Sequence, residues 1–370
     1  MTSITLSRVT DWDALGKLWW DLETRSDCSF FQSWTWAGCL AEERFTDPIL
    51  LQARQDDRVV AMGLFNRRRT WNGREVLWLG ETGRASHDTV FIEWNGLLAE
   101  QGTSADVLGE CLRAACLMPI DGEHLLFRRR VVLSGADAPT AEFGRLARID
   151  LFVRRSMVAP FVDLAALREA NRPYLAALSA NTRYQLRRSD RCYEALTINR
   201  AASREEAVGL LEQLEVLHQG TWQRRGRPGA FAAPYFKRFH TALIERGFEH
   251  GAIAVLRVGS GSRTVGILYN FEWRGRVMAY QSGFDYAGAG THQKPGLTCH
   301  HQAIEDALDR GMNCYDFLAG EDRYKRSLAT SKVVLHWVEL GPAGPRSRLL
   351  QRLTDTSESR PQCHDSPRVS

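Results

Sequence analysis

A phenol, a carboxylate, an amine and an amide fall within the stretch 277–328: Tyr324, Asp316, Lys325 and Gln281. A phenol with a pKa near about 10 can hand a proton to a leaving group of similar basicity. Asp316 lies between Tyr315 and Phe317 in an apolar run, where an ionised carboxylate is costly unless partnered. It is expected either to accept hydrogen bonds from Lys325, Arg323 or Gln281, or to act as a base with a raised pKa. Gln281 alternates with Tyr280 and Ser282 and is expected to face the same cleft. Each has a plainer alternative: Tyr324 as a ring packed under a sheet, Gln281 as an amide at a strand end, Lys325 as a solvated charge. Cys299-His300-His301 is read as core and helix surface. Adjacent histidines diverge on a helix, and the chain has no His-Glu-x-x-His and no zinc-like cysteine spacing, so no metal is expected.

These side chains need a frame to hold them. Val277–Phe284 is a short apolar run that reads as a buried strand. Pro295 suits the first turn of a helix, whose apolar face is Leu297, His301, Ile304 and Leu308, and Gly311 ends it. Asn313–Leu318 is the next strand. The unit is therefore strand, crossover helix, parallel strand, with a right-handed connection. Ligands of such sheets gather outside the carboxyl ends of the strands. There the unit offers a helix N-terminus with Gly296 for close approach and Lys294 for charge, which suits a phosphate. Arg183, Arg187 and Arg191 recur every fourth residue on a helix read over 171–191 and form a basic stripe. That stripe could hold a phosphate or an acidic acceptor through Arg183 and Arg187, or be an ordinary solvated face.

The remaining chain reads as a weak internal duplication in element order. Two helices, from about Thr10 and from Ser33, precede strands over 49–55, 59–66 and 76–80, a helix from Thr103 or Ser104, and a strand over 124–131. After a seam over 135–140 and near 149–160, the order helix, helix, meander, crossover repeats. Ser203 with Glu206 makes a capping box for one of those helices. The expected organisation is 1–155, 156–341 and a Pro- and Ser-rich tail, 342–370, expected to be disordered. The fold class expected is mixed α/β. With 370 residues, 44% hydrophobic and 25% charged, the chain is long enough for two cores. A net charge of +4 is too mild to imply nucleic acid or a membrane by itself. No apolar run approaches a membrane span, no signal peptide is seen, and the scattered cysteines read as reduced, buried thiols of a cytoplasmic protein.

Pro295-Gly296, Asp316, and Gly320 followed by Tyr324-Lys325 occur in the order found in the GNAT acyltransferase superfamily. More narrowly, they resemble the CelD-like acetyltransferase domain of polysaccharide biosynthesis, a relative of the FemAB aminoacyl-transferases. Gln293-Lys294-Pro295-Gly296-Leu297-Thr298 is similar to the superfamily's pyrophosphate motif, except that Thr298 replaces a small residue. The resemblance covers roughly 157–340 and the N-terminal part only loosely. It implies two tandem GNAT-like halves, the C-terminal one active, and an acyl-CoA donor held by Gln293, Lys294, Gly296, Leu297, Thr298 and Lys325. It implies Tyr324 as the acid that protonates the departing thiolate, with Asp316 and Gln281 beside it. The acceptor implied is an amine or hydroxyl of a sugar or cell-envelope precursor. The FemAB kinship leaves open an aminoacyl-tRNA donor, and a non-catalytic binding protein is a third reading.

Overall fold

The structure, a computed structural model, describes residues 2–71, 73–124, 128–137, 149–320 and 322–341. The expected disordered tail lies outside the described residues. In the N-terminal part, β1 (Thr2–Arg8) leads to α1 (Trp12–Thr24), α2 (Trp34–Arg44), β2 (Pro48–Gln55), β3 (Arg58–Arg69), β4 (Glu75–Leu79), β5 (Leu98–Ala99), α3 (Ala105–Leu117), β6 (Arg130–Ala136) and β7 (Leu151–Asp163). Then follow α4 (Leu164–Glu169), α5 (Tyr174–Ala177), α6 (Ala180–Asp190), β8 (Leu196–Arg200), α7 (Arg204–Arg224), α8 (Pro234–Gly247), β9 (Ile253–Ser260), β10 (Arg263–Trp273) and β11 (Arg276–Phe284). The chain closes with α9 (Pro295–Asp309), β12 (Cys314–Asp316), α10 (Arg323–Leu328) and β13 (Ser331–Leu340).

The helices begin where side chains satisfy free backbone N–H groups. Asp11 caps α1, and Ser33, Ser104 and Ser203 cap α2, α3 and α7. The helix expected over 171–191 is broken. Ser179 turns its hydroxyl to the Thr182 N–H at 3.2 Å and starts α6 afresh, leaving α5 as a single turn. The cap of α1 is Asp11, and Thr10 lies outside the helix. The strand expected over 124–131 is displaced to Arg130–Ala136. The segment around 149–160, expected as a seam, is most of the long strand β7.

All the strands but β5 lie along one sheet in the order β1-β2-β3-β4-β6-β13-β7-β12-β11-β10-β9-β8, and β5 pairs with β3. Read inward from either edge, the two sides have the same plan: an antiparallel run, then a parallel pair. These pairs are β4 with β6, bridged by α3, and β11 with β12, bridged by α9. At the centre the last strands are exchanged. β13 pairs with β6 of the first side, and β7 pairs with β12 of the second. Residue 155 lies inside β7.

Alternate residues of a strand reach opposite cores. Ile49, Leu51 and Ala53 pack under α3, whereas Leu50 faces the layer holding α1. Ile267, Tyr269 and Phe271 face the layer of α7 and α8, whereas Leu268 packs with α9. The α7/α8 core also takes Phe30, Phe31, Trp36 and Leu40 from the N-terminal part. Trp36 meets Phe239 edge-on at 5.1 Å. One aromatic core therefore fastens the two sides together.

Candidate active site

β11 is the wall on which the site is built. It pairs with β12 only over Arg276–Met278 against Cys314–Asp316. Beyond Met278 the two parallel strands part. A register shift against β10, with Tyr269 opposite Gln281 and Asn270 opposite Ala279, makes a bulge at Tyr280. Bulges re-aim side chains and end regular pairing. The parted edge, Ala279–Phe284, lines a cavity of about 600 Å³. Its other walls are His218 and Trp222 of α7, the loop from Arg225 to Ala230, Tyr286, His300 of α9, and Asp322, Tyr324 and Lys325 at α10. Phe91 closes it from the N-terminal side, stacked on Tyr280 at 4.4 Å.

Gly283 allows α7 to lie directly on β11. A Cβ there would stand 2.5 Å from the Leu214 carbonyl oxygen. His218 follows one turn later, and its Nδ1 meets the Ser282 carbonyl at 3.0 Å while Nε2 accepts from the Ala230 N–H at 3.3 Å. Both ring nitrogens are thus occupied as in a neutral imidazole, and burial lowers its pKa against the opposing Ser282 contact.

Tyr324 and Lys325 both line the cavity. The Tyr324 ring stacks on His300, 5.3 Å away and within 18° of parallel, and meets Phe317 edge-on. Burial pushes the phenol pKa up, so its proton stays on at neutral pH. Lys325 Nζ donates to the carbonyls of Ala319 at 3.0 Å and Leu318 at 3.3 Å. Burial lowers its pKa, opposed by Glu93, Asp322 and Asp316. Gln281 also lines the cavity. Its Oε1 accepts from the Ser282 N–H at 3.0 Å, so an amide oxygen occupies a backbone donor on the parted strand.

Asp316 is not among the residues lining that cavity. Its partners are not Lys325, Arg323 or Gln281 but Trp94 Nε1 at 2.8 Å, Arg276 at 3.0 Å and the Leu318 N–H at 2.8 Å. Arg276 also stacks over the Trp94 ring. Burial raises the Asp316 pKa, and Arg276 works against it. The carboxylate is a tie between the two sides of the sheet. Beside it, Glu93 accepts from the Ala319 N–H at 2.6 Å, and burial lifts its carboxyl to about 7.

The start of α9 is tied to α6. The Lys294 N–H donates to Ser189 Oγ at 2.8 Å, and Lys294 Nζ bonds Gln185. The Thr298 hydroxyl donates to Asp190 at 2.7 Å and meets Ser189 at 2.9 Å, so this unusual side chain points at α6 and leaves the turn itself clear. Gln293 spans the loop, accepting from the Gly290 N–H and donating to the Cys192 carbonyl. Leu297 is half-buried against the α9 core. No side chain caps α9. Gly296 is covered by Tyr286, whose hydroxyl would stand 2.8 Å from a Cβ there. Below it, burial opposes the charge of His301, but Asp190 at 2.8 Å and Glu305 at 3.4 Å lift its pKa to about 9.

Arg183 and Arg187 lie elsewhere, in a separate shallow groove on α6 with Tyr184, Asp190 and Arg191. Arg183 donates to the carbonyls of Leu178 and Leu175 at the end of α5. The cations at the main cavity are instead Lys325, Arg225 and Arg227. The Arg-Gly-Pro composition of 224–229 was the available signal for the last two. His300, read as core, lines the cavity, and Phe91 and His218 reach it from distant segments that carry no local signal. Among the described residues no group of three or more His, Cys, Asp or Glu could hold a metal ion, and no helix is long and apolar enough to cross a membrane. Cys192 is exposed, unlike the other described cysteines.

Residues 180–326 match the family model of the acetyltransferase (GNAT) domain. No curated protein matches the chain. Among solved structures, FemX is similar over 95% of this chain and 99% of its own, at 8% identity and a TM-score of 0.61. A domain assigned as the C-terminal part of a lysylphosphatidylglycerol synthetase from Agrobacterium fabrum is similar over 93% and 96%, at 11% identity and a TM-score of 0.55. A conserved protein of unknown function from Bacteroides thetaiotaomicron is similar over 91% and 99%, at 10% identity and a TM-score of 0.56. At these identities the likeness is one of fold, and it runs through both sides of the sheet. The crossover unit, and all the cavity's lining but Phe91, fall within the residues that match the acetyltransferase (GNAT) domain model, which supports reading the chain as an acyltransferase.

Proposed function

We propose that the protein transfers an acyl group from acyl-CoA to an amine or hydroxyl of a sugar, polysaccharide or cell-envelope precursor. One observation carries this reading: β11 parts from β12 after Met278, and the freed edge faces Tyr324 across a cavity large enough for a thioester and an acceptor. The acyl-CoA arm would lie along Ala279–Phe284, with its phosphates toward Lys294, Gly296 and Leu297 at the start of α9. The acceptor's lone pair attacks the thioester carbon. The Ser282 N–H, now donating to Gln281 Oε1, would donate instead to the thioester oxygen as charge builds on it. The C–S bond then breaks with its electrons on sulfur, Tyr324 gives the thiolate its proton, and the proton lost by the acceptor restores the phenol. Asp316 and the Arg183/Arg187 groove have no part in this chemistry. Lys325, Arg225 and Arg227 outnumber Asp322 in the cavity lining, which would favour an acceptor bearing phosphate or carboxylate.

A thermal-shift series with acyl-CoAs tests the donor, because a ligand that binds only the folded chain stabilises it by mass action. A concentration-dependent rise in Tm with acetyl-CoA or a longer acyl-CoA is expected. No rise with any acyl-CoA up to millimolar concentration would sink the donor reading. The second reading, an aminoacyl-tRNA donor, draws on the FemAB resemblance and the whole-chain likeness to FemX. Salt-sensitive tRNA binding without acyl-CoA binding would select it.

A further inference from the structure

His300 lines the cavity but has no task in the chemistry above. It is 2% exposed. Its Nδ1 meets the Tyr315 hydroxyl at 3.0 Å, and its Nε2 is buried without a partner. A buried polar atom left unpaired is costly, and such atoms are uncommon in native proteins. The other faces of the ring are apolar: Tyr324, Phe317 and Phe284 surround it.

The protons can be placed. Tyr315 is fully buried, so its hydroxyl hydrogen needs a protein acceptor. The neighbouring Asn270 amide acts on this phenol in the sense of a hydrogen-bond donor, lowering its pKa against the dominant effect of burial, so it does not compete for the hydroxyl hydrogen. The hydroxyl therefore donates to His300 Nδ1, and the single proton of a neutral imidazole then sits on Nε2. Burial and the nearby Lys325 charge push this imidazole's pKa down to about 3, so the ring is neutral across the physiological range. An in-plane N–H on a ring stacked parallel to Tyr324 points past that phenol, not at it.

We infer that His300 is a neutral hydrogen-bond donor that takes a carbonyl oxygen of the bound acyl donor and so holds the donor beside Tyr324. This rests on the acyl-CoA reading proposed above. An N–H needs an acceptor atom opposite it, so an ammonium cannot sit there. A carbonyl fits because it brings an acceptor oxygen without charge into an apolar surround. Two carbonyl types in the donor share this chemistry, the thioester and the amides of the pantetheine arm. His300 is thus a positioning residue, assigned from its orphaned Nε2.

The test measures Kd for acetyl-CoA and for CoA with the full-length chain, its His300→Phe variant and the His300→Phe/Tyr315→Phe double variant. The double variant removes both partners of the internal bond, a change that costs little stability when shapes are kept. About a tenfold or larger rise in Kd for acetyl-CoA is expected in both variants, with the Tm of the double variant close to that of the parent. A rise for acetyl-CoA alone places the bond at the thioester, and a rise for both ligands places it at a pantetheine amide. Nitrogen NMR of the free protein is expected to show His300 protonated at Nε2 and not titrating between pH 5 and about 9. Unchanged Kd values in the double variant, or a proton on Nδ1, would overturn the assignment and leave the donor reading intact. A parent chain that binds neither ligand overturns the donor reading and this inference with it.

Discussion

Among single residues, Glu93 and Asp316 show how burial decides what a carboxylate is for. Asp316 reads in sequence as either a partnered carboxylate or a base, because a mid-strand carboxylate demands a reason. The structure gives it partners: Trp94 and Arg276, from the two sides of the sheet, converge on it. Glu93 drew no attention in sequence, yet its carboxyl is lifted to about 7, chiefly by burial. A carboxyl raised above its ordinary value of 4.5 binds a proton in the fold that the unfolded chain has already released. The stability it contributes is full below about pH 4.5 and is lost as pH rises through about 7. Glu93→Gln keeps an acceptor for the Ala319 N–H and removes the charge. It is expected to stabilise the protein at pH 8 by about 1–3 kcal/mol, with little effect at pH 4.5, read from urea midpoints at both. A variant whose pH profile runs parallel to the parent's would contradict the buried-carboxyl account.

Elements with strong punctuation were the legible ones. Pro295 and Gly311 bracket α9 closely, and the apolar run 277–284 is β11. Edge strands β1 and β8 were not read, since three of the seven residues of β1 and two of the five of β8 are exposed and polar and their apolar alternation is weak. The break at Ser179 was missed because a cap can restart a helix within a continuous helical pattern. Tyr324 and Lys325 were singled out through the family resemblance that Gly320…Tyr324-Lys325 carries, whereas Phe91 and His218 join the cavity only through tertiary packing. Two glycines separate packing from binding at this scale. At Gly283 a Cβ meets the backbone of α7 at 2.5 Å, while at Gly296 it meets the end of the half-exposed Tyr286 side chain. Gly283→Ala is expected to cost about 1–3 kcal/mol by forcing α7 off β11. Gly296→Ala is expected to cost less than about 1 kcal/mol, because Tyr286 can swing away. Equal losses in chemical denaturation would mean that α7 does not rest on β11 as described.

For the whole molecule, the exchange of β7 and β13 is the feature least visible in sequence, because it pairs residues far apart along the chain. The duplicated order of elements suggested two separable halves. The core under α3 nevertheless includes Val338 and Leu340 of β13, and the core under α8 includes Phe30, Phe31 and Trp36. Neither side has a complete core without the other. We therefore expect one cooperative unfolding transition, with tryptophan fluorescence and far-ultraviolet circular dichroism coinciding in urea, and a fragment ending at residue 155 that does not fold alone. Two separated transitions would show that the sides are independent.

The chemistry assigned to the assembled cavity is tested most directly by single-turnover release of CoA from acetyl-CoA, comparing the parent chain with Tyr324→Phe and using slow hydrolysis where no acceptor is known. Phe keeps the ring that stacks on His300 and removes only the proton donor. The rate is expected to fall by about 10²–10⁴-fold, with acetyl-CoA affinity and Tm essentially retained. A Phe variant that releases CoA at nearly the parent rate, with the chemical step limiting, would contradict the account.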